Sequence, residues 1–176
     1  MTSKAIRVPK NGGREVIEYL DVEDRAPGQN EVAVRNRAIG VNFIDVYHRT
    51  GLYPMPLPTG LGLEGAGIVE TVGDGVTFVT AGDRVGYCTA PLGAYAERHV
   101  MPVEKLIKLP DGVSDEDVAA GLLKGVTVYM LLKQVHDAKA GETILHHAAA
   151  GGVGLILSQW AKALGVRTIG VVSSKE

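Results

Sequence analysis

The segment HHAAAGGVG, from His146 to Gly154, has small residues at the spacing that pyrophosphate binding requires. Ala148, Gly151 and Gly154 form A-x-x-G-x-x-G, a variant of the dinucleotide-binding fingerprint with alanine in place of the first glycine. A pyrophosphate binds against backbone N–H groups at a helix N-terminus, where the helix dipole favours negative charge and side chains would hold the phosphates away. The predicted pyrophosphate contacts are Ala150, Gly151, Gly152 and Val153. A tight packing turn between a strand and a helix, without a ligand, is the alternative.

Hydroxyl and cationic side chains end the next predicted strand, where the ribose of a nucleotide would lie. In folds that bind NAD, an Asp or Glu about 20 residues past the glycines accepts a hydrogen bond from the ribose 2′-hydroxyl. Counted from Gly154, that position is Ser174, within the run Val172-Ser173-Ser174-Lys175. The run has hydroxyls and a cation but no carboxylate, so it favours a 2′-phosphate and therefore NADPH over NADH. The predicted contacts are Ser173, Ser174 and Lys175. A frayed terminus at 173–176 is the alternative.

The first part of the chain predicts a β-rich unit. From Lys4 to about Leu109, short segments alternate apolar and polar side chains and are separated by turns rich in glycine, which predicts a partly open β-barrel. The predicted strands are Ala5–Val8, Val16–Val22, Glu31–Ala38, Gly65–Val72 and Ala94–Val100. Apolar residues at helical spacing predict one helix within this region, at Phe43–Thr50.

After Leu109 the pattern becomes helical. Ser114, followed three residues later by Asp117, predicts a helix N-cap. The segment from Ala119 to Val135 is long and apolar enough for one or two helices, with Gly125 as the expected break.

A βαβ unit is predicted for the end of the chain. It consists of a short buried strand at Thr143–His147, a helix at Gly152–Leu164 and a second strand at Arg167–Val172. Gly165 is expected at the C-terminal cap of this helix. Such units build parallel sheets, so the fold class is α/β plus β.

Composition and charge exclude several classes of protein. The 176 residues are 45% hydrophobic and 22% charged, and their net charge of −2 gives no basic surface for nucleic acid or for a membrane. Cys88 is the single cysteine, which excludes an internal disulfide and a cysteine-rich zinc site. No apolar run approaches the roughly 18 residues that span a bilayer. The N-terminus has no apolar signal core, so a cytoplasmic enzyme is expected.

Three segments closely resemble the NADPH:quinone oxidoreductases, which include the zeta-crystallin group of the medium-chain dehydrogenase/reductase superfamily. They are Gly141–Lys162, Asn42–Pro54 and Leu122–Leu132, and the resemblance extends from Lys4 to Glu176. It implies a GroES-like catalytic domain at 1–122, then a linking helix and the start of a Rossmann NADPH-binding domain at 123–176. It also implies NADPH as the cofactor, a quinone or a related activated carbonyl or enone as the substrate, and a homodimer for the full-length protein.

The resemblance places three hydrogen-bond donors, Asn42, Tyr47 and Tyr53, in a cleft beside the nicotinamide. Such donors are needed because negative charge that develops on a substrate oxygen must be offset when no metal does so. We expect Tyr53 to contact the substrate oxygen, with Tyr47 and Asn42 ordering the nicotinamide and nearby water. For Tyr47, a packing role is an equal alternative. Thr127 is implied to bind the nicotinamide carboxamide, while Lys124 either attracts the phosphates or forms a structural ion pair.

The ligands of the catalytic zinc in metal-dependent members of the superfamily are replaced in this sequence. Those relatives have a cysteine at the position of Asn42 and Gly-His-Glu at the position of Gly62-Leu63-Glu64. Neither asparagine nor leucine supplies a thiolate or an imidazole, so a zinc-independent enzyme is expected. His146 and His147 do not replace these ligands, since adjacent strand residues point to opposite faces. No role for Glu64 follows from the sequence.

Members of the family continue well beyond the position of Glu176, where they complete the sheet and bind the rest of the cofactor. The resemblance therefore implies that this chain is the N-terminal portion of a longer reductase. Two functions follow from it. The chain is a zinc-independent NADPH:quinone reductase, or it is a truncated, non-catalytic fragment with a structural or binding role. Affinity for NADPH distinguishes them, because only the reductase requires it.

Overall fold

The computed structural model describes residues 1–174, and the chain divides into two compact units, Met1–Leu122 and Leu123–Glu176. The first unit contains one short helix, α1 (Phe43–Thr50), among a series of strands. The strands are β1 (Thr2–Arg7), β2 (Glu18–Glu23), β3 (Glu31–Gly40), β4 (Glu64–Val72), β5 (Arg84–Tyr87), β6 (Arg98–Pro102) and β7 (Leu106–Lys108). The boundary between the units lies within a second helix, α2 (Asp115–Tyr129).

An antiparallel sheet of order β6-β3-β4-β5-β7 forms the centre of the first unit. Its two long strands, β3 and β4, pair from Val32↔Val72 to Gly40↔Glu64. Side chains of β3, β4, β5 and β6 that face the interior form the core, which includes Val32, Val34, Val69, Val85, Tyr87 and Met101. Strands β1 and β2 form a separate antiparallel pair, and the sheets do not close within residues 1–174. The predicted partly open β architecture is confirmed.

The strand predictions were less accurate at their ends. The segment predicted from Val16 begins with a 3-10 turn, Arg14–Val16, and β2 starts at Glu18. The prediction of a strand from Ala94 was wrong in its first half, because Tyr95 lies in a loop and donates its N–H to the carbonyl oxygen of Leu61 at 2.9 Å. Strands β5 and β7 were not predicted. With 4 and 3 residues, they are too short for an alternating pattern to show.

The second unit contains the predicted βαβ arrangement. Strands β8 (Thr143–His147) and β9 (Arg167–Val171) are parallel and are joined by helix α3 (Gly152–Ala163). Gly165 follows this helix with φ +73°, a left-handed conformation that glycine adopts at helix C-termini. The buried core of this unit comprises Val128, Leu132, Ala138, Leu157, Ala161 and Val166.

Two predictions for this region were wrong. Helix α2 passes through Gly125 without a break and continues into a π-helical segment, Met130–Val135. A single glycine costs a helix interior only about 1 kcal/mol, which the surrounding residues offset. Strand β8 is not buried, because its residues alternate between exposed and half-buried. Ile144 packs against the core, whereas Leu145 on the opposite face is 62% exposed.

The helical stretch Asp115–Val135 is long and apolar enough to cross a membrane, judged by length and composition alone. The sequence pattern did not indicate this, since no uninterrupted apolar run is present there. Core helices of soluble proteins pass the same test, and the start of this helix is held by an ion pair. The buried carboxylate of Asp115 lies 2.7 Å from Nη2 of Arg84. Length and composition therefore do not assign this helix to a membrane.

Candidate functional site

Helix α1 positions Asn42 and Tyr47, and the turn that follows it positions Tyr53. Asn42 is the N-cap residue, with extended backbone angles of φ −128° and ψ 150°. Its backbone N–H donates to Oδ2 of Asp45 at 2.9 Å, an arrangement that satisfies a donor at the helix start. Gly51 ends the helix with φ +82°, and the N–H of Tyr53 then donates to the carbonyl oxygen of Tyr47 at 3.2 Å. The three predicted catalytic residues therefore share one local element.

The carboxylate of Glu64 orients the side chain of Asn42. Glu64 begins β4, is fully buried, and accepts a hydrogen bond from Nδ2 of Asn42 at 2.7 Å. Gly40 leaves the space for it, since a Cβ there would lie 2.3 Å from Oε2 of Glu64 and 2.3 Å from the carbonyl oxygen of Ala119. A rotated amide would place its oxygen against the carboxylate, so this contact selects one amide orientation.

Tyr95 also belongs to this site, although the sequence did not indicate it. Its hydroxyl donates to Oδ2 of Asp45 at 2.7 Å, so this oxygen accepts from both Tyr95 and Asn42. Burial and the neighbouring Asp45 carboxylate raise the pKa of Tyr95 well above its usual range, so the hydroxyl remains a donor. The other oxygen, Oδ1 of Asp45, and Nδ1 of His48 are buried without a hydrogen-bond partner among residues 1–174.

An exposed aromatic surface adjoins these buried groups. The ring of Tyr47 lies 5.3 Å from that of Phe43 and 5.3 Å from that of Tyr53, measured between centroids. Phe43 is 71% exposed and Tyr53 is 47% exposed. Neither the Tyr47 nor the Tyr53 hydroxyl forms a hydrogen bond within residues 1–174. This surface suits a flat, apolar ligand that has an oxygen acceptor at its edge. Tyr47 thus combines ring packing against Phe43 and Tyr53 with a hydroxyl that forms no hydrogen bond in the described part of the chain.

The glycine-rich turn of the second unit joins β8 to α3 closely. The N–H of Gly151 donates to the carbonyl oxygen of Ala148 at 2.9 Å and closes the turn. A Cβ at Gly154 would lie 2.5 Å from that same oxygen and 2.6 Å from the carbonyl oxygen of Ala149. Because both of these atoms belong to the backbone, only glycine fits at this position.

Lys124 lies against the start of α3. A Cβ at Gly152 would lie 2.8 Å from Cε of Lys124, so the lysine stem crosses the helix N-terminus at a residue without a side chain. Thr127, one turn further along α2, donates its hydroxyl to the carbonyl oxygen of Leu123 at 2.8 Å. Its hydroxyl oxygen retains acceptor capacity for a ligand N–H group.

A cavity of about 420 Å³ lies between the glycine-rich turn and the end of β9. Its lining includes Ala150, Gly151, Ser173 and Ser174, four of the predicted cofactor contacts. Gly152 and Val153 line a second cavity of about 400 Å³ at the same turn. Lys175, also predicted as a contact, lies outside the described residues. The structure thus brings the glycine-rich turn and the serines together as the parts of one cavity.

The histidines of β8 have separate surroundings. Nε2 of His146 lies 3.3 Å from Oγ of Ser158 on α3, whereas His147 is exposed. Within the part of the chain that the structure describes, no group of three or more His, Cys, Asp or Glu side chains could hold a metal ion. Asn42 and Leu63 offer no thiolate or imidazole.

Ala148 has a left-handed backbone, φ +53°, at the position where the fingerprint normally has glycine. This conformation destabilises the folded chain by about 1–2 kcal/mol when the residue has a Cβ. Glycine avoids that cost, but it makes the unfolded chain more flexible, which lowers the free energy of unfolding by about 0.4–1 kcal/mol. Ala148→Gly should therefore stabilise the chain by about 0.5 kcal/mol, measured by urea unfolding. Ala150→Gly is the matched control in the same turn and should destabilise. Equal losses in both variants would contradict the assignment of strain to Ala148.

The first unit contains a segment that matches a known domain family. Residues 28–111, within the first unit, match the alcohol dehydrogenase GroES-like domain. The second unit supplies the strand, glycine-rich turn and helix with which a dinucleotide-binding domain begins.

Proteins that are similar to this chain over nearly its whole length include quinone oxidoreductases and a 2-haloacrylate reductase. A quinone oxidoreductase of Pseudomonas aeruginosa is 60% identical over 175 residues, which are 99% of this chain and 54% of the relative. The crystal structure of Escherichia coli quinone oxidoreductase complexed with NADPH has a TM-score of 0.96 at 51% identity, covering 98% of this chain and 53% of that one. A 2-haloacrylate reductase of Burkholderia sp. is 48% identical, covering 96% of this chain and 53% of the relative.

Over nearly its whole length the chain is similar to quinone oxidoreductases, and residues 28–111 match the alcohol dehydrogenase GroES-like domain. It spans about half the length of the curated relatives that it matches.

Proposed function

We propose that the protein with this sequence is an NADPH-dependent, zinc-independent reductase of quinones. The observation that supports this most directly is the cavity in which the glycine-rich turn meets Ser173 and Ser174. It combines backbone N–H groups at a helix N-terminus with hydroxyls where the ribose of a dinucleotide would lie. The similarity to an enzyme solved with NADPH agrees with the same cofactor.

The cofactor contacts follow from the second unit. The pyrophosphate binds at Ala150, Gly151, Gly152 and Val153, because no side chain at the two glycines holds it away from the helix. Lys124, whose stem crosses Gly152, places a cation near the phosphates. Ser173, Ser174 and Lys175 contact the 2′-phosphate, and Thr127 accepts a hydrogen bond from the carboxamide. When bound, NADPH supplies the reducing equivalents of the reaction.

The substrate contacts follow from the first unit. The hydroxyl of Tyr53 donates to the substrate oxygen and offsets the charge that develops there. Tyr47 and Asn42 order the groups around it, and the exposed ring of Phe43 gives a flat quinone an apolar surface. A 2-haloacrylate also has an activated double bond beside a carboxylate, so the relative of that name supports a wider class of activated carbonyls and enones.

The remaining features of the proposal concern the whole protein. Asn42 and Leu63 at zinc-ligand positions support the absence of a catalytic zinc. A homodimer and a cytoplasmic location remain predictions from the family resemblance and from composition. Binding of nucleic acid or a membrane is not part of the proposed function, since the net charge of −2 provides no basic surface.

The proposed 2′-phosphate contact predicts how cofactor preference changes in Ser174→Asp. A carboxylate at this position repels the 2′-phosphate but can accept a hydrogen bond from the 2′-hydroxyl of NADH. The Kd for NADPH should rise at least about tenfold, while the Kd for NADH should stay equal or fall. Fluorescence titration of both nucleotides measures this change. Gln159→Glu, which adds the same charge on the exposed side of α3, is the matched control. Equal weakening of both nucleotides by Ser174→Asp would contradict the contact.

A further inference from the structure

The buried side of α1 contains a hydrogen-bonded group that the proposed reaction does not use directly. Asp45 is 5% exposed, and one of its oxygens, Oδ2, accepts from the Asn42 N–H at 2.9 Å and from the Tyr95 hydroxyl at 2.7 Å. Hydrogen bonds to an ionised, desolvated acceptor are about twice as strong as those between neutral groups. The start of the helix is therefore tied to a residue distant in the sequence.

The structure makes room for Tyr95 at this place. Gly62 has φ +87°, and a Cβ there would lie 2.4 Å from Cδ1 and 2.7 Å from Cε1 of the Tyr95 ring. The Tyr95 backbone is held on both sides, since its N–H donates to Leu61 at 2.9 Å and its carbonyl oxygen accepts from Ile6 at 2.8 Å. Its hydroxyl is thus presented to α1 from a fixed backbone.

We propose that Tyr95 is a positioning residue, which fixes the start of α1 through Asp45 and thereby fixes Asn42. The backbone of Asn42 is then held by Asp45, and its side chain is held by Glu64 at 2.7 Å. Two buried carboxylates therefore define one position of this asparagine. The importance of that position for reduction rests on the proposed function, but the positioning itself does not.

The first test measures Asn42 directly and needs no activity. In Tyr95→Phe, hydrogen exchange of the Asn42 backbone amide should accelerate about tenfold, because Asp45 loses the donor that holds it in place. The NMR resonances of the Asn42 side-chain amide should shift. The matched control is Tyr87→Phe, which removes the hydroxyl of a fully buried tyrosine in the same unit that donates to Oδ1 of Asn36 at 2.8 Å. Unchanged Asn42 exchange and resonances in Tyr95→Phe, or an equal change in Tyr87→Phe, would overturn the proposal.

A second measurement uses the unaltered protein, so it remains available if Tyr95→Phe does not fold. A tyrosine hydroxyl that is held in a hydrogen bond to a buried carboxylate, as that of half-buried Tyr95 is to Asp45, exchanges its proton with water more slowly than a free hydroxyl. A slowly exchanging Tyr95 hydroxyl resonance with cross-peaks to the first amides of α1 is expected. A Tyr95 hydroxyl that exchanges as fast as that of an exposed tyrosine would overturn the positioning role.

The third test links the position to the reaction. In a preparation that oxidises NADPH, Tyr95→Phe should lower kcat about tenfold or more while the Kd for NADPH stays within about twofold, because a displaced Asn42 no longer orders the groups around the reacting atoms. A fall in kcat equal to that of Tyr87→Phe would show that Tyr95 acts only on stability. If the unaltered chain oxidises no NADPH, the proposed function fails, whereas the exchange results for Asn42 still decide the positioning role.

Discussion

Asn42→Asp should destabilise the chain by about 3 kcal/mol at pH 7, because it replaces an amide donor by a second carboxylate beside buried Glu64. The two groups are nearly isosteric, and aspartate caps a helix as well as asparagine does. The decrease in unfolding free energy therefore results from the added charge at this contact and not from removal of the helix N-cap. Urea unfolding followed by circular dichroism measures it.

The pH dependence distinguishes this mechanism from ordinary damage to the fold. Two carboxylates at this distance raise the pKa of the pair in the folded state, so the folded variant binds a proton more readily than the unfolded chain. The deficit relative to the unaltered chain should therefore be full at neutral pH and should shrink as the pH falls through the raised pKa. Asn30→Asp, at an exposed position, should show no such deficit. A deficit in Asn42→Asp that does not change with pH would contradict the role given to Glu64.

Acidification from pH 7 to pH 4 should remove about 3 kcal/mol of stability through His99 alone. Burial and, to a smaller extent, the guanidinium groups of Arg25 and Arg7 lower the pKa of His99 to about 4. The ring is 8% exposed on β6, and its Nε2 lies 3.0 Å from the carbonyl oxygen of Pro91. In the unfolded chain the same imidazole takes up a proton near pH 6.5.

Between these two pKa values the unfolded chain binds one more proton than the folded chain, so stability falls as the pH falls. The contribution is complete above about pH 6.5 and is lost towards pH 4. His99→Leu removes the titrating group, and its unfolding free energy should decrease about 3 kcal/mol less over this range than that of the unaltered chain. His147→Gln, at an exposed histidine, is the control and should leave the pH dependence of the unfolding free energy unchanged. If the unfolding free energies of His99→Leu and of the unaltered chain decrease equally between pH 7 and pH 4, His99 is not held neutral by the fold.

Structural features that depend on residues close to one another in the sequence could be predicted. The βαβ unit followed from the alternation of short apolar runs with a helical pattern, and Gly165 marked the helix end through its preference for positive φ. Helix α1 was predicted at its observed bounds, Phe43–Thr50. Short strands such as β5 and the continuity of α2 at Gly125 could not be predicted, because they depend on contacts with residues that are distant in the sequence.

The candidate site shows the same limit. The glycine-rich turn and the serines of 173–174 were predicted because their chemistry depends on spacing along the chain. The contacts of Asn42 with Glu64 and of Asp45 with Tyr95 join residues 22 and 50 positions apart. Nothing in the local sequence around Tyr95 distinguishes it from any other tyrosine. The positive φ of Gly62 that admits its ring became evident only in the structure.

The most direct test of the proposed function is a fluorescence titration of the chain with NADPH and, in parallel, with NADH, followed by addition of a simple benzoquinone. The proposed function predicts saturable binding with preference for NADPH, and oxidation of the bound nucleotide once the quinone is present. A chain shown to be folded by circular dichroism that binds neither nucleotide would contradict that function. It would support a non-catalytic, structural or binding role instead.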